Sequence, residues 1–116
     1  MDSQDLQLEA NGTYRMQANQ TELAQRLAQA IRSDGGAEPL KGVHLFRASQ
    51  PTKLHSISIP SFCVIAQGSK EVFLANEHYQ YDPAHYLLYT AELPILTQIT
   101  DASPDRPYLS MRLDLD

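Results

Sequence analysis

Hydrophobic residues recur with a helical period in the first third of this chain and with a period of two in the rest. In the upstream third, Leu23, Leu27 and Ile31 recur at four-residue spacing with alanines beside them, which predicts a helix over residues 20–33. The apolar stripe of this helix is narrow. We therefore expect it to lie against the outside of a sheet rather than to bind a membrane or a partner helix.

Both ends of the predicted helix carry residues that commonly start or stop one. Asn19 followed by Glu22 can form a capping box, and Asp34-Gly35-Gly36 supplies a flexible stop, after which Pro39 to Gly42 form a connector. The chain then divides into a polar tail (1–18), the helix with its connector (19–42) and a β-rich domain (43–116).

Downstream of Gly42 the period changes to two, and short runs rich in Val, Ile, Phe, Tyr and Thr are separated by Gly, Pro, Asn and Asp. The predicted strands are Val43–Arg47, Leu54–Ile59, Phe62–Gln67, Lys70–Leu74, His78–Tyr81, Tyr86–Thr90, Ile95–Thr100 and Tyr108–Leu115. Closely spaced antiparallel strands with no helix between them are typical of a sandwich or barrel, in which closing the sheet removes exposed edges. We predict a mainly β fold of that class.

The last predicted strand alternates most cleanly. One face carries Leu109, Met111, Leu113 and Leu115, and the other carries Ser110, Arg112, Asp114 and Asp116. We expect one face to be buried. An aggregation-prone edge is the alternative, and the charges on the second face argue against it.

The length and net charge of this chain limit the classes of protein to which it can belong. A chain of 116 residues with a formal net charge of -5 is expected to form one domain and not to bind DNA by itself. It has no apolar run near the about 18 residues that span a bilayer and no basic, apolar leader, so we expect a cytoplasmic protein without a membrane partner. The single cysteine, Cys63, lies in an apolar run and is expected to be a buried thiol.

Candidate catalytic and metal-binding residues do not form a recognisable pattern. The four histidines, His44, His55, His78 and His85, contain no His-x-His pair, so we expect them at the surface or the rim of the core rather than on a metal, and no cofactor is predicted. There is no Gly-x-Ser-x-Gly elbow. Gly68-Ser69-Lys70 lacks the other glycines of a phosphate loop and is expected to be a hairpin turn.

Several short motifs, in order and in spacing, resemble the N-terminal regulatory domain of AraC-type bacterial transcription regulators. The resemblance covers roughly residues 40–116 and is carried by Gln67-Gly68-Ser69-Lys70, Tyr79-Gln80-Tyr81-Asp82-Pro83, Glu92-Leu93-Pro94, Ala102-Ser103-Pro104-Asp105-Arg106-Pro107-Tyr108 and Arg112-Leu113-Asp114-Leu115-Asp116. It implies a cupin-like antiparallel β-barrel (jelly roll) that senses a small-molecule effector and commonly mediates homodimerisation. It also implies that DNA is bound only through a C-terminal helix-turn-helix domain, which is absent from this chain.

The resemblance favours a protein that binds rather than reacts. Metal-dependent enzymes with the same barrel resemble one another in a glycine-led His-x-His motif, and counting from Gly68 the two histidine positions hold Leu74 and Asn76. We therefore predict no enzymatic activity. The alternatives are a metal-dependent cupin enzyme and a ligand-free dimerisation module.

Tyrosines near the middle of the β-rich region could line a small-molecule pocket, because each combines a large apolar surface with a polar tip. Core packing is the alternative for each. Tyr79 and Tyr81 share a strand face, whereas Tyr86 and Tyr89 do not. The predicted ligand-binding residues are His44, Phe46, Ile65, Tyr79, Tyr81 and Tyr89.

Overall fold

The computed structural model describes residues 20–74 and 76–115. In this part the chain forms a helix, α1 (residues 20–30), followed by nine strands. The strands are β1 (Gly35–Leu40), β2 (Val43–Ala48), β3 (Thr52–Ile57), β4 (Ser61–Gln67), β5 (Ser69–Leu74), β6 (Glu77–Tyr81), β7 (Tyr86–Tyr89), β8 (Pro94–Asp101) and β9 (Tyr108–Asp114). The predicted polar tail (1–18) and Asn19 of the predicted capping box lie outside the described residues.

The strands form two antiparallel sheets. The five-stranded sheet has the order β1-β2-β9-β4-β7, and the four-stranded sheet has the order β3-β8-β5-β6. The fold is mainly β with one helix in the described residues, as predicted. The two sheets face each other as in a jelly roll, rather than closing into one continuous cylinder.

All eight strands predicted from Val43 onward are present, and the prediction missed one. β1 occupies Gly35–Leu40, where the helix stop and the connector were predicted. Its two glycines and Pro39 have poor strand propensity, which hid it in the sequence. Proline and irregular pairing are tolerated there because β1 is an edge strand, and its register with β2 shifts between Ala37 and Leu40.

The predicted hairpin at Gly68 is wrong. β4 and β5, which flank this glycine, belong to different sheets, so the chain crosses from one sheet to the other here. Gly68 has a φ of 85°, in the left-handed region, and a Cβ at this position would collide with the carbonyl oxygen of Asp101 and approach Tyr108 Cα to 3.1 Å. A glycine is needed because two backbones meet at the corner.

Helix α1 covers the outer face of the five-stranded sheet, as its narrow stripe predicted. Leu27 and Ile31 are each 5% exposed and pack with Leu45 of β2 and Leu109 of β9. Met111 is partly buried against the same cluster. The apolar face of β9 is therefore buried at the end that lies under the helix, whereas Leu115, just beyond the strand, is 46% exposed.

The opposite face of β9 points between the sheets. Tyr108 is 2% exposed and packs with Ala48 and Ile65 of the five-stranded sheet and with Ile99 of the four-stranded sheet. A third core cluster joins the sheets further along and consists of Cys63, Val72, Leu87 and Ile95. The central strand thus has no solvated face at this end, because α1 covers one side and the second sheet covers the other.

Replacing the corner glycine should destabilise the fold strongly. We expect Gly68→Ala to lower the free energy of unfolding by about 3 kcal/mol or more, since the positive φ alone costs about 1–2 kcal/mol and the collision with Asp101 adds to it. Gly35→Ala is the matched control, because Gly35 has a φ of 113° with no atom within 4 Å of a Cβ. Urea denaturation measures both variants. Equal losses of unfolding free energy in the two would show that Gly68 is not sterically restricted.

Truncation of Leu109 should test how the helix packs on the five-stranded sheet. Leu109 is 1% exposed, so we expect Leu109→Ala to lower the free energy of unfolding by about 3 kcal/mol through the cavity that it leaves. Leu88→Ala, on β7 of the same sheet but 56% exposed, should cost less than about 1 kcal/mol. Urea titrations of the two variants give the comparison, and similar losses would contradict the packing described.

Candidate functional site

A cavity of about 530 Å³ lies between the two sheets. Its wall is largely apolar, with Phe46, Leu54, Ile95, Ile99 and Tyr108 among the lining residues. Polar side chains also line it: Glu38, His44, His55, Ser56, Lys70, Tyr89, Thr97, Ser110 and Arg112. An apolar wall interrupted by a few polar groups is the usual composition of a small-molecule site.

The strand register arranges part of this wall in a row across the five-stranded sheet. Arg112 on β9 lies opposite His44 on β2 and opposite Cys63 on β4. Because alternate residues of a strand share a face, Ser110 extends the same wall two positions earlier. The polar side of β9 therefore forms the floor of the cavity.

An ion-paired group lies at one end of this row. Nε2 of His44 is 2.8 Å from Oδ2 of Asp114, and Nε of Arg112 is 3.3 Å from Oδ1 of the same carboxylate. The hydrogen bond with His44, more than the nearby charge of Arg112, lowers the pKa of Asp114 against the opposing effect of desolvation. Nε of Arg112 and Oδ1 of Asp114 are both buried without a well-aligned hydrogen bond, so the contact between them is an ion pair.

Lys70, on the other sheet, lines this cavity and also a neighbouring depression that contains Asp82 and Asp101. It lies on β5 opposite Ile99 and Tyr81, and no carboxylate forms an ion pair with it in the described part of the chain. Burial raises the pKa of the Cys63 thiol, and the positive charges of Lys70 and Arg112 oppose that increase. Cys63 is 7% exposed, which confirms the predicted buried thiol, and it is held in its neutral, weakly reactive form.

Two tyrosine hydroxyls are also kept neutral. Burial raises the pKa of Tyr89, and the nearby Cys63 and Tyr81 add to the effect. Burial likewise raises the pKa of Tyr81. A neutral phenol can donate a hydrogen bond, and Tyr89 is the one of the two that lines the cavity.

The predicted site residues fall into four locations. The first group, His44, Phe46 and Tyr89, lines the cavity. Ile65 is 2% exposed and belongs to the core beside it. Tyr81 lines a second, smaller depression of about 360 Å³, and Tyr79 is 41% exposed. The structure thus brings three of the six together, and a ligand-binding role for any of them stays a prediction.

Sequence reasoning missed Lys70, Thr97, Ser110 and Arg112 as cavity residues. The alternation of β9 separates Ser110 and Arg112 from the leucines, but a polar face of a strand usually meets solvent. The signal in the sequence was that the predicted helix can cover only one face of β9. The other face must then lie against a different layer of the fold. That combination places the polar face inside.

No group of three or more His, Cys, Asp and Glu side chains that could hold a metal ion occurs within residues 20–74 and 76–115. His44 is paired with Asp114, and Nδ1 of His85 is 2.8 Å from Asp82. His78 stacks on Phe73 with ring centroids 4.6 Å apart. Over the same residues, the structure contains no helix that is both long enough and apolar enough to cross a membrane.

Comparison with known proteins identifies a family and a fold. The family model described as AraC-type transcriptional regulator N-terminus matches residues 39–116. Among solved structures, the chain is similar to a cupin superfamily protein from Desulfitobacterium hafniense DCB-2, with a TM-score of 0.58 and 14% identity over 78% of this chain and 88% of that chain. This likeness concerns the fold alone and confirms the predicted cupin-like jelly roll. No curated protein matches the chain in sequence.

The pairing of Asp114 should appear as acid sensitivity. Its pKa in the folded chain lies below the usual 3.8, so its contribution to stability is present above pH 3.8 and is lost as the pH falls further. We expect Asp114→Asn to be less stable than the parent chain at pH 7, with the difference shrinking below pH 3.8. Urea denaturation at a series of pH values measures this difference. Asp105→Asn, at an exposed carboxylate, should follow the parent chain throughout, and a constant deficit for Asp114→Asn would contradict the pairing.

Proposed function

Because this chain belongs to the family of AraC-type transcriptional regulator N-termini, we propose that it binds a small-molecule effector in the cavity between its two sheets. Membership agrees with the resemblance carried by the motifs between residues 67 and 116, and it makes the domain a regulatory one. The observation that carries the proposal is the cavity itself. A filled core would leave no room for an effector.

The dimensions and lining of the cavity support this proposal. Small-molecule sites commonly enclose about 300–1,000 Å³, and the 530 Å³ found here falls within that range. The polar groups of the wall come from strands of both sheets, which hold their backbones in fixed positions. Arg112 lies on β9, whereas Thr97 lies on β8 of the opposite sheet. A ligand between them would contact both layers at once.

In this proposal the effector acts through the central strand. Ser110 and Arg112 of β9 line the cavity, and the intervening Met111 packs against the cluster under α1. A ligand that binds better to one arrangement of β9 therefore also favours one position of the helix on the sheet. Such coupling would carry occupancy of the cavity to the outer surface of the domain, where other parts of a regulator can respond.

The remaining parts of the proposal concern the full-length regulator. DNA binding is assigned to a C-terminal domain, because a chain with a net charge of -5 is poorly suited to neutralise phosphates. The homodimer implied by the family stays a prediction. We infer that the domain works by binding alone, and stoichiometric metal in the purified protein would instead favour the cupin enzyme.

Filling the cavity should abolish effector binding without unfolding the chain. A ligand at 100 times its dissociation constant stabilises a protein by about 2.7 kcal/mol, or roughly 10 °C in Tm for a domain of this size. We expect some members of a metabolite library to raise the Tm of the parent chain by that order, and Ser110→Phe to lose the shift because its ring occupies the cavity. The measurement is thermal denaturation with and without each compound.

A matched control separates cavity filling from a general effect of phenylalanine. Ser33 lies in the exposed segment between α1 and β1, so Ser33→Phe should keep the same shifts as the parent chain. If no compound stabilises the parent chain, or if Ser110→Phe keeps the full shift, the proposed site is wrong. The first outcome would favour a ligand-free dimerisation module.

A further inference from the structure

Two cationic side chains enter the cavity from opposite sheets. Lys70 comes from β5 of the four-stranded sheet, and Arg112 comes from the central strand β9 of the five-stranded sheet. Both act electrostatically on the Cys63 thiol, which lies beside Arg112 in the register and lines the same cavity. The two charges are therefore directed at a common space.

Among the described residues, a carboxylate forms an ion pair with only one of these two cations. Asp114 is shared between Arg112 and His44, and no carboxylate pairs with Lys70. Glu38 also lines the cavity, but its Oε1 accepts a hydrogen bond of 3.0 Å from the backbone N–H of Gly42 in the exposed β1-β2 turn. Arg112 thus has an ion-pair partner, whereas Lys70 has none among the described residues, and an unpaired charge in a partly apolar cavity is costly.

The rest of the cavity wall limits the chemical class of the ligand further. Phe46, Leu54 and Ile99 present apolar surface, and the hydroxyls of Tyr89, Thr97 and Ser110 lie among them. A molecule with one charged end and an apolar body fits both parts.

We propose that the effector is an organic monocarboxylate with an apolar body, whose carboxylate lies between Lys70 and Arg112. This inference rests on the proposed function and specifies the ligand of the same site. A monoanion supplies the partner that Lys70 lacks, whereas a phosphate dianion would bring a second negative charge near Asp114 and Glu38. The guanidinium supplies directed donors and the ammonium supplies a compact charge, which is an effective pair for one carboxylate.

Cys63 allows the charge preference to be measured without knowing the effector. It is the only cysteine of the chain and lines the cavity, so a thiol reagent must enter the site to react with it. We would compare 2-carboxyethyl methanethiosulfonate with 2-aminoethyl methanethiosulfonate, which have the same length and opposite charge. The uncharged propyl methanethiosulfonate reports whether the cavity is open. Rates are divided by those for free N-acetylcysteine, which removes the intrinsic reactivity of each reagent.

The expected result is a carboxylate-over-ammonium preference of about fivefold in the 116-residue chain, falling towards one in Lys70→Gln and in Arg112→Gln. Lys53→Gln is the matched control, because Lys53 is an exposed lysine on β3 of the same sheet as Lys70 and should leave the preference unchanged. If neither cavity variant folds, the ratio of the parent chain alone decides the question.

Each contrary result has a separate meaning. A ratio of one or below in a chain that reacts with the propyl reagent would overturn the carboxylate inference and leave the proposed function standing. An unchanged preference in both folded cavity variants would overturn the roles given to Lys70 and Arg112. If the folded chain reacts with none of the three reagents over a pH series that raises the thiolate fraction of Cys63, the cavity does not admit small molecules, and the proposed function fails with the inference.

Discussion

The structure depends on the burial of both faces of one strand. β9 is the middle strand of the five-stranded sheet, between β2 and β4. Its leucine face packs under α1, and its opposite face meets the second sheet. A strand in this position normally carries apolar residues on both sides, because each side is removed from water. Here the inner side is apolar only at Tyr108, and polar from Ser110 onward.

The departure from an all-apolar strand creates the cavity and its charge. Beyond Tyr108 a cavity remains between the sheets, and Arg112 lines it. Its charge is compensated by Asp114, which in turn is held by His44. A charged side chain inside a core weakens folding, and in the proposal above the same charge attracts the effector. Local cost of this kind is expected where a protein binds something.

Particular elements show where prediction from the sequence succeeded and where it did not. The helix was found because Leu23, Leu27 and Ile31 report a stripe that depends only on local geometry. Strand β1 was missed because its glycines and Pro39 conceal a pairing that β2 imposes. The turn at Gly68 was recognised as a turn but assigned to a hairpin, since a left-handed glycine serves a hairpin and a sheet-crossing corner equally well. Only the partner strands distinguish the two.

By itself, the sequence determined the fold class, the family and the positions of most strands, because alternation, turn residues and ordered motifs are local properties of the chain. It also placed His44, Phe46 and Tyr89 among the candidates. Only the tertiary structure decided that the polar side of β9 faces inward and that Lys70 and Arg112 share a cavity. Alternation states that a strand has two faces, but the elements that cover each face come from distant parts of the chain, and their packing decides which face meets water.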